Sequence, residues 1–405
     1  MHTNVMTYIA HYGRFDFKEF PFCEVDSLIF CQLAYFRYHP QPSLTLSDCY
    51  LGATYCLKWQ RKKNRDFLYA VASSKRFRQV EIHEYQSLRH AQPPVQFCAM
   101  TFFLPDGRAY CAFRGTDDTF VGWRESLGLL QAAPCIGQRL AVRYLERVMG
   151  KFPRKFYVGG HSKGGNFAVY AAGHVAAIHQ ANILRIYCLD GPGFRESVPL
   201  RQPVSEQQSV SIRQSGLPQR SVPIHQSSST RTPPPSAFEP HPPMSKFTPQ
   251  GGLVGRVLDH TPDITEVRAK GAEANRHDLL AWRVIGARLY PTFKMSGHIG
   301  IQAFHRWIEQ LDDREVAFLT DEVYDMMCHT DASDVMEFLK GVPRHLPRMR
   351  DWAKHGGVKN SNRRRVALQA LIRCFGTEFK QQAKQRLTIK GKTIRFHTLR
   401  VPLKP

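Results

Sequence analysis

The chain has 405 residues with an apolar fraction of 42% and 26 phenylalanines, enough for one large α/β domain with additions or for two domains. Its net charge of +22 favours anionic partners, or serves solubility alone. No apolar run approaches the ~18–20 residues of a membrane-spanning helix, the first residues lack a secretory signal pattern, and ten scattered cysteines without a CxxC pair argue against a disulfide frame or a zinc site. A cytoplasmic protein is expected, with peripheral membrane attachment as an option.

In chain order, residues 15–40 read as a turn followed by a helix with Leu28, Ile29, Leu33 and Phe36 on its apolar side, and residues 61–77 as a strongly basic helical stretch. Residues 97–116, "FCAMTFFLPDGRAYCAFRGT", form two β-rich runs around Pro-Asp-Gly, a hairpin pattern. A helix is expected from Pro134 to about Met149. A strand at "KFYVGG" follows, then a helix after Ser162 and a strand at "ILRIYCLDGPG". Strands alternating with helices predict a mostly parallel α/β sheet preceded by an antiparallel hairpin. Residues 202–243, rich in Ser, Gln and Pro, read as a disordered insertion. Order is expected to resume near "SKFTPQGGLVGRVLDH", with a strand at "ITEVRAK" and a helix from Leu279. Residues 301–405 read as a separate helical, basic extension. Its last 65 residues carry 17 Lys and Arg against Asp351 and Glu378. There Leu368, Ile372, Phe375, Phe379, Ala383 and Leu387 recur at helical spacing, an amphipathic helix with a basic face. Packing on the main domain is the plainest use of such a helix, an anionic membrane surface its rival. Nucleic acid comes third, because no aromatic stacking platform accompanies the charge.

The chemistry concentrates at Gly160-His161-Ser162-Lys163-Gly164, which fits G-x-S-x-G. The pentapeptide alone is weak. Its context, an apolar strand running into four flanking glycines and a small-residue helix, is what a tight turn exposing a serine oxygen requires. Ser162 is therefore read as a nucleophile, with the helix N-terminus favouring a developing oxyanion. Upstream, the strand "AYCAF" ends in Arg114-Gly115-Thr116-Asp117-Asp118. Thr116 at that strand end can offer its N–H and hydroxyl to an oxyanion, and Lys163, the residue after the serine, a second N–H.

"AFRGTDDTFVGW" followed by "GGHSKGG" resembles the class 3 (fungal-type) lipases of the α/β-hydrolase superfamily, and more closely a bacterial group of uncharacterised lipase-like proteins within it. "FPFCEVDSLIFCQLAYF", "SSKRF", "CLDGPGF" and "HDLLAW" also resemble that group, so the likeness spans about residues 15–200 and 245–300. It implies an α/β-hydrolase fold over residues 1–300 and a serine acylated with help from a histidine and an acid, in the order Ser, acid, His. His277 lies where the histidine is expected; His298 and His260 are weaker choices, and His161 and His174 read as packing or surface residues. Gly251 and Gly252 occupy the place of the family's acid, so Asp190, at the end of "IYCLD" on the preceding strand, is taken for that role, with Asp259 as the alternative. Ser126 stands where relatives carry an acid. The reaction implied is cleavage of carboxylic esters, with lipids among the candidate substrates, and with no metal or organic cofactor. The alternative is a catalytically degenerate fold that binds a membrane surface or a partner.

Overall fold

A computed structural model describes residues 3–38, 44–57, 60–195, 242–252, 254–259, 261, 263–271, 276–292 and 311–354. The expected insertion, apart from its last two residues, lies outside them, as do His260, His298 and the amphipathic stretch from Leu368 to Leu387.

Eight strands form one sheet whose spatial order follows the chain: β1 (Leu44–Thr45), β2 (Glu81–His90), β3 (Val95–Phe103), β4 (Ala109–Phe113), β5 (Phe156–His161), β6 (Ile183–Leu189), β7 (Met244–Pro249) and β8 (Ile264–Val267). β1 to β4 pair antiparallel, and β4 to β8 pair parallel. The protein is thus an α/β fold with a mixed, mostly parallel sheet.

The central strands are buried on both sides, and their side chains alternate between two cores. Cys98, Met100, Phe102, Tyr110 and Ala112 face the helices α1 (Val5–Tyr12), α2 (Glu24–Leu33) and α3 (Arg61–Ser73). Phe97, Ala99, Ala109, Cys111 and Phe113 face α4 (Phe120–Gly128), α5 (Ile136–Lys151) and α6 (Lys163–His174). Helices on both faces leave the carboxyl ends of the parallel strands open as one rim, where ligands bind in open α/β sheets. The nine described cysteines are all unpaired.

A buried ion pair ties the first helical layer together. Arg76, in "SSKRF", meets the Asp26 carboxylate with both Nε (2.8 Å) and Nη2 (2.6 Å), and neither side chain is exposed. Its Nη1 donates to the carbonyl oxygens of Asp16 and Phe20, and Tyr8 donates to the same carboxylate. Removing one partner would leave a buried charge without compensation. Arg76→Ala is therefore expected to cost about 3–5 kcal/mol, read as a lower urea midpoint with an unchanged slope.

The helix expected from Leu279 does not form. Leu279–Ala281 makes a single 3-10 turn capped by Asp278, and the chain then doubles back as a two-stranded ribbon, Val284–Ile285 with Arg288–Leu289. Gly286, at φ +58°, opens the two-residue loop between them, the position where such hairpins call for glycine.

Beyond the sheet, α7 (Asp313–Cys328), α8 (Val335–Lys340) and α9 (Val342–Lys354) build a small core of their own from residues including Met326, Met327, Val335, Phe338 and Trp352. Phe120 and Trp123 of α4 pack against it, and the Val335 N–H bonds the carbonyl of Asp118. Among the described residues no helix is long and apolar enough to cross a membrane.

Candidate functional site

Three strand ends and one loop converge on the rim. β5 runs into α6 through Ser162, whose backbone adopts φ +57°, ψ −130°, a region that non-glycine residues occupy only under strain. The turn is tight because its neighbours lack side chains. A Cβ on Gly164 would collide with the Phe113 carbonyl, and one on Gly115 with the Tyr35 hydroxyl and the His161 carbonyl. The glycines thus let the Arg114–Asp118 loop, the end of β4 and the start of α6 lie against one another. Ser162 is 8% exposed, at the rim of this packing.

Directly after β6 comes Asp190, likewise at positive φ (+49°) and fully buried. Its Oδ1 accepts from the Thr248 hydroxyl (2.8 Å) and the Gly255 N–H (2.8 Å), and its Oδ2 from Nδ1 of His277 (2.6 Å). Burial by itself would raise this carboxyl. The His277 hydrogen bond and charge, followed by the Thr248 bond, outweigh it and hold the group below the ordinary carboxylate value. An ionised carboxylate only accepts, so Nδ1 carries a proton, and in the neutral form of the imidazole Nε2 holds the lone pair. His277 is about one-third exposed, and its ring centroid lies 4.4 Å from that of His161, the residue before the serine. No hydrogen bond joins Ser162 directly to His277 among the described residues.

Asp190 rather than Asp259 reaches His277. Asp259 is engaged elsewhere, in a buried ion pair with Lys246 at 2.7 Å, both side chains 3% exposed. The segment with glycines at the expected acid position, 251 and 252, contributes differently: Gly255 just beyond them donates its N–H to Asp190, and a Cβ there would strike that carboxylate. His174 bonds the Tyr170 carbonyl and stacks on that ring within α6, a packing role.

Thr116 follows β4 beside the tight strand-to-helix turn at Ser162, the elbow, but its hydroxyl is engaged. Ser126 Oγ donates to the Gly122 carbonyl (2.9 Å), so the 2.5 Å contact between Thr116 Oγ1 and Ser126 Oγ uses the threonine's proton. The threonine hydroxyl proton is thus taken, and its backbone N–H is the donor that this contact does not use. The Lys163 N–H, at the first position of α6, lacks an intrahelical acceptor, as every helix start does.

Sequence reasoning missed Tyr35, Gln96 and Glu125. The Tyr35 hydroxyl bonds Nδ1 of His161 (2.8 Å), and both groups are buried. Glu125, adjacent to the Ser126 departure, meets the Lys163 ammonium at 2.6 Å with both side chains within 2% of full burial. No local pattern announces this pair: Arg124 and Ser126 on either side of Glu125 are only partly buried, and 38 residues separate Glu125 from Lys163.

His161 has a pH consequence. Desolvation, with the His277 ring second, holds its imidazole well below the ordinary value of 6.5, so it stays neutral in the fold. The unfolded chain takes up a proton as pH falls through about 6.5, and the unfolded state then binds more protons than the native one. Stability is whole above that value and is lost as pH falls towards the folded pKa, by up to about 1.4 kcal/mol per unit. Urea midpoints taken from about pH 7.5 down to about pH 5 should fall more steeply in wild type than in His161→Gln.

Residues 71–223 match the Mbeg1-like family model. That family is described as lipase-like, and the matched span carries β2 to β6, the elbow and Asp190. The match and the mostly parallel sheet are compatible with an α/β-hydrolase. No curated protein and no solved structure matches the chain.

Proposed function

We propose that the chain is a serine hydrolase of the α/β-hydrolase superfamily, related to class 3 lipases, that cleaves carboxylic esters. Ser162 Oγ attacks the ester carbonyl while His277 Nε2 takes its proton, and Asp190 holds the imidazole in the required tautomer. The tetrahedral oxyanion rests on the N–H groups of Thr116 and Lys163, at the positive end of α6. His277 passes the proton to the departing alcohol, leaving an acyl group on Ser162. It then activates the water that releases the acid. The observation that carries this reading is the Asp190–His277 hydrogen bond beside a serine held at positive φ.

Lipid esters as substrates, a cytoplasmic location and contact of the basic C-terminal stretch with an anionic membrane extend the proposal. They rest on the resemblance and on the charge of that stretch, whose last 51 residues lie outside those described. A second reading, a catalytically silent fold that binds a membrane or partner surface, is favoured by one observation, the missing bond between Ser162 and His277. Catalytic hydrogen bonds often tighten only when substrate binds, which weighs against it. A fluorophosphonate probe separates the two readings. Covalent labelling of the native wild-type protein is expected, and a folded but unlabelled protein would favour the silent fold.

A further inference from the structure

The Lys163 side chain has no place in the proposed chemistry, which uses only its backbone N–H, yet its surroundings are built with care. Its three ammonium protons are all used: Glu125 Oε2 at 2.6 Å, the Gln96 carbonyl at 2.8 Å and Gln96 Oε1 at 2.8 Å. Gln96 Oε1 also accepts from the N–H of Asp117 (3.3 Å), the residue after Thr116, and the Gln96 N–H donates to Glu125 (3.1 Å). The cluster thus links β3, the loop carrying Thr116, α4 and the first residue of α6. Lys163 and Glu125 are 1% and 4% exposed, and a Cβ on Gly137 would strike Glu125 Oε1, so the carboxylate is closely enclosed. Burying such a pair stabilises a fold poorly compared with apolar side chains of the same size, so stability alone does not explain it.

We infer that Glu125 is a positioning residue: through Lys163 and Gln96 it fixes the spacing between the two backbone N–H groups, of Thr116 and Lys163, that receive the oxyanion. The inference rests on the serine hydrolase reading for its kinetic consequence, but its geometric part can be read without turnover. An oxyanion site works by having its donors in place before charge develops, so a loop free to shift loses rate rather than ground-state affinity.

The test uses the full chain as wild type, Glu125→Gln, and the double variant Glu125→Leu with Lys163→Met, which replaces the pair by apolar groups and retains the Lys163 N–H. In Glu125→Gln, kcat on a p-nitrophenyl ester and the fluorophosphonate labelling rate should fall about 10- to 100-fold, with KM within about twofold. The double variant should recover the thermal midpoint of wild type but not its rate, the split that a merely structural ion pair would not produce. Hydrogen exchange at the Asp117 amide should quicken at least about tenfold in both variants. Unchanged exchange would overturn the inference, as would a rate loss that only tracks the loss of folded protein. Wild type that fails to label would instead defeat the hydrolase reading and leave the exchange result to decide the positioning role.

Discussion

Ser162→Ala is expected to abolish fluorophosphonate labelling and to lower ester turnover by about ten-thousand-fold or more, with His277→Ala close behind and the double variant no worse than either single one. The non-additivity follows from the chemistry. A serine hydroxyl is a weak nucleophile unless a base takes its proton, and the imidazole has nothing to do once the hydroxyl is gone. Alanine is the informative replacement because it keeps the Cβ. Ser162 sits at φ +57°, ψ −130°, where a Cβ costs about 1–3 kcal/mol, so alanine retains both the strain and the turn. Glycine would relieve that strain and change the backbone and the chemistry at once. Retained labelling in Ser162→Ala, mapped by peptide mass to another residue, would overturn the assignment.

How much of this could be read beforehand depends on how local the determinant is. The hairpin of β3 and β4, the strands β5 and β6 and the helix α5 were legible because aromatic and β-branched runs or helical spacing announce them within a dozen residues. β2 was not. Its sequence, "EIHEYQSLRH", is polar on both sides, with a register break between His83 and Gln86 and a positive φ at Glu84, so no two-residue alternation stands out. The Leu279 segment misled in the opposite direction, since "LLAW" looks helical while Gly286 bends the chain into a ribbon.

The same division holds at the site. Ser162 and the Thr116 loop lie within contiguous motifs, so the elbow and its neighbour could be named from the residues. The choice between Asp190 and Asp259 could not, because it depends on a buried lysine from β7 claiming Asp259 and on Thr248 and Gly255 closing over Asp190. Glu125 was hidden for a similar reason: only the packing of α4 against the elbow brings it to Lys163.

Asp190→Asn should separate orientation from proton transfer. It is expected to lower kcat by about ten-thousand-fold while KM and the fold stay near wild type. An asparagine amide can donate where the carboxylate could only accept, so the imidazole is free to settle with its proton on Nε2, the atom that must receive the serine's proton. The variant also has a signature at acid pH. The folded-state pKa of Asp190 lies below its ordinary value of 3.8, set by the balance of desolvation, which raises it, against the stronger His277 and Thr248 bonds. A group depressed in this way contributes stability above its unfolded value, and that contribution is lost as pH falls through the folded pKa. Wild-type urea midpoints should therefore drop below about pH 4 by more than those of Asp190→Asn. A variant that kept the wild-type rate would mean that His277 is oriented by something else. One that lost the rate but kept the wild-type acid dependence would mean that the carboxylate does not carry its charge in the native site.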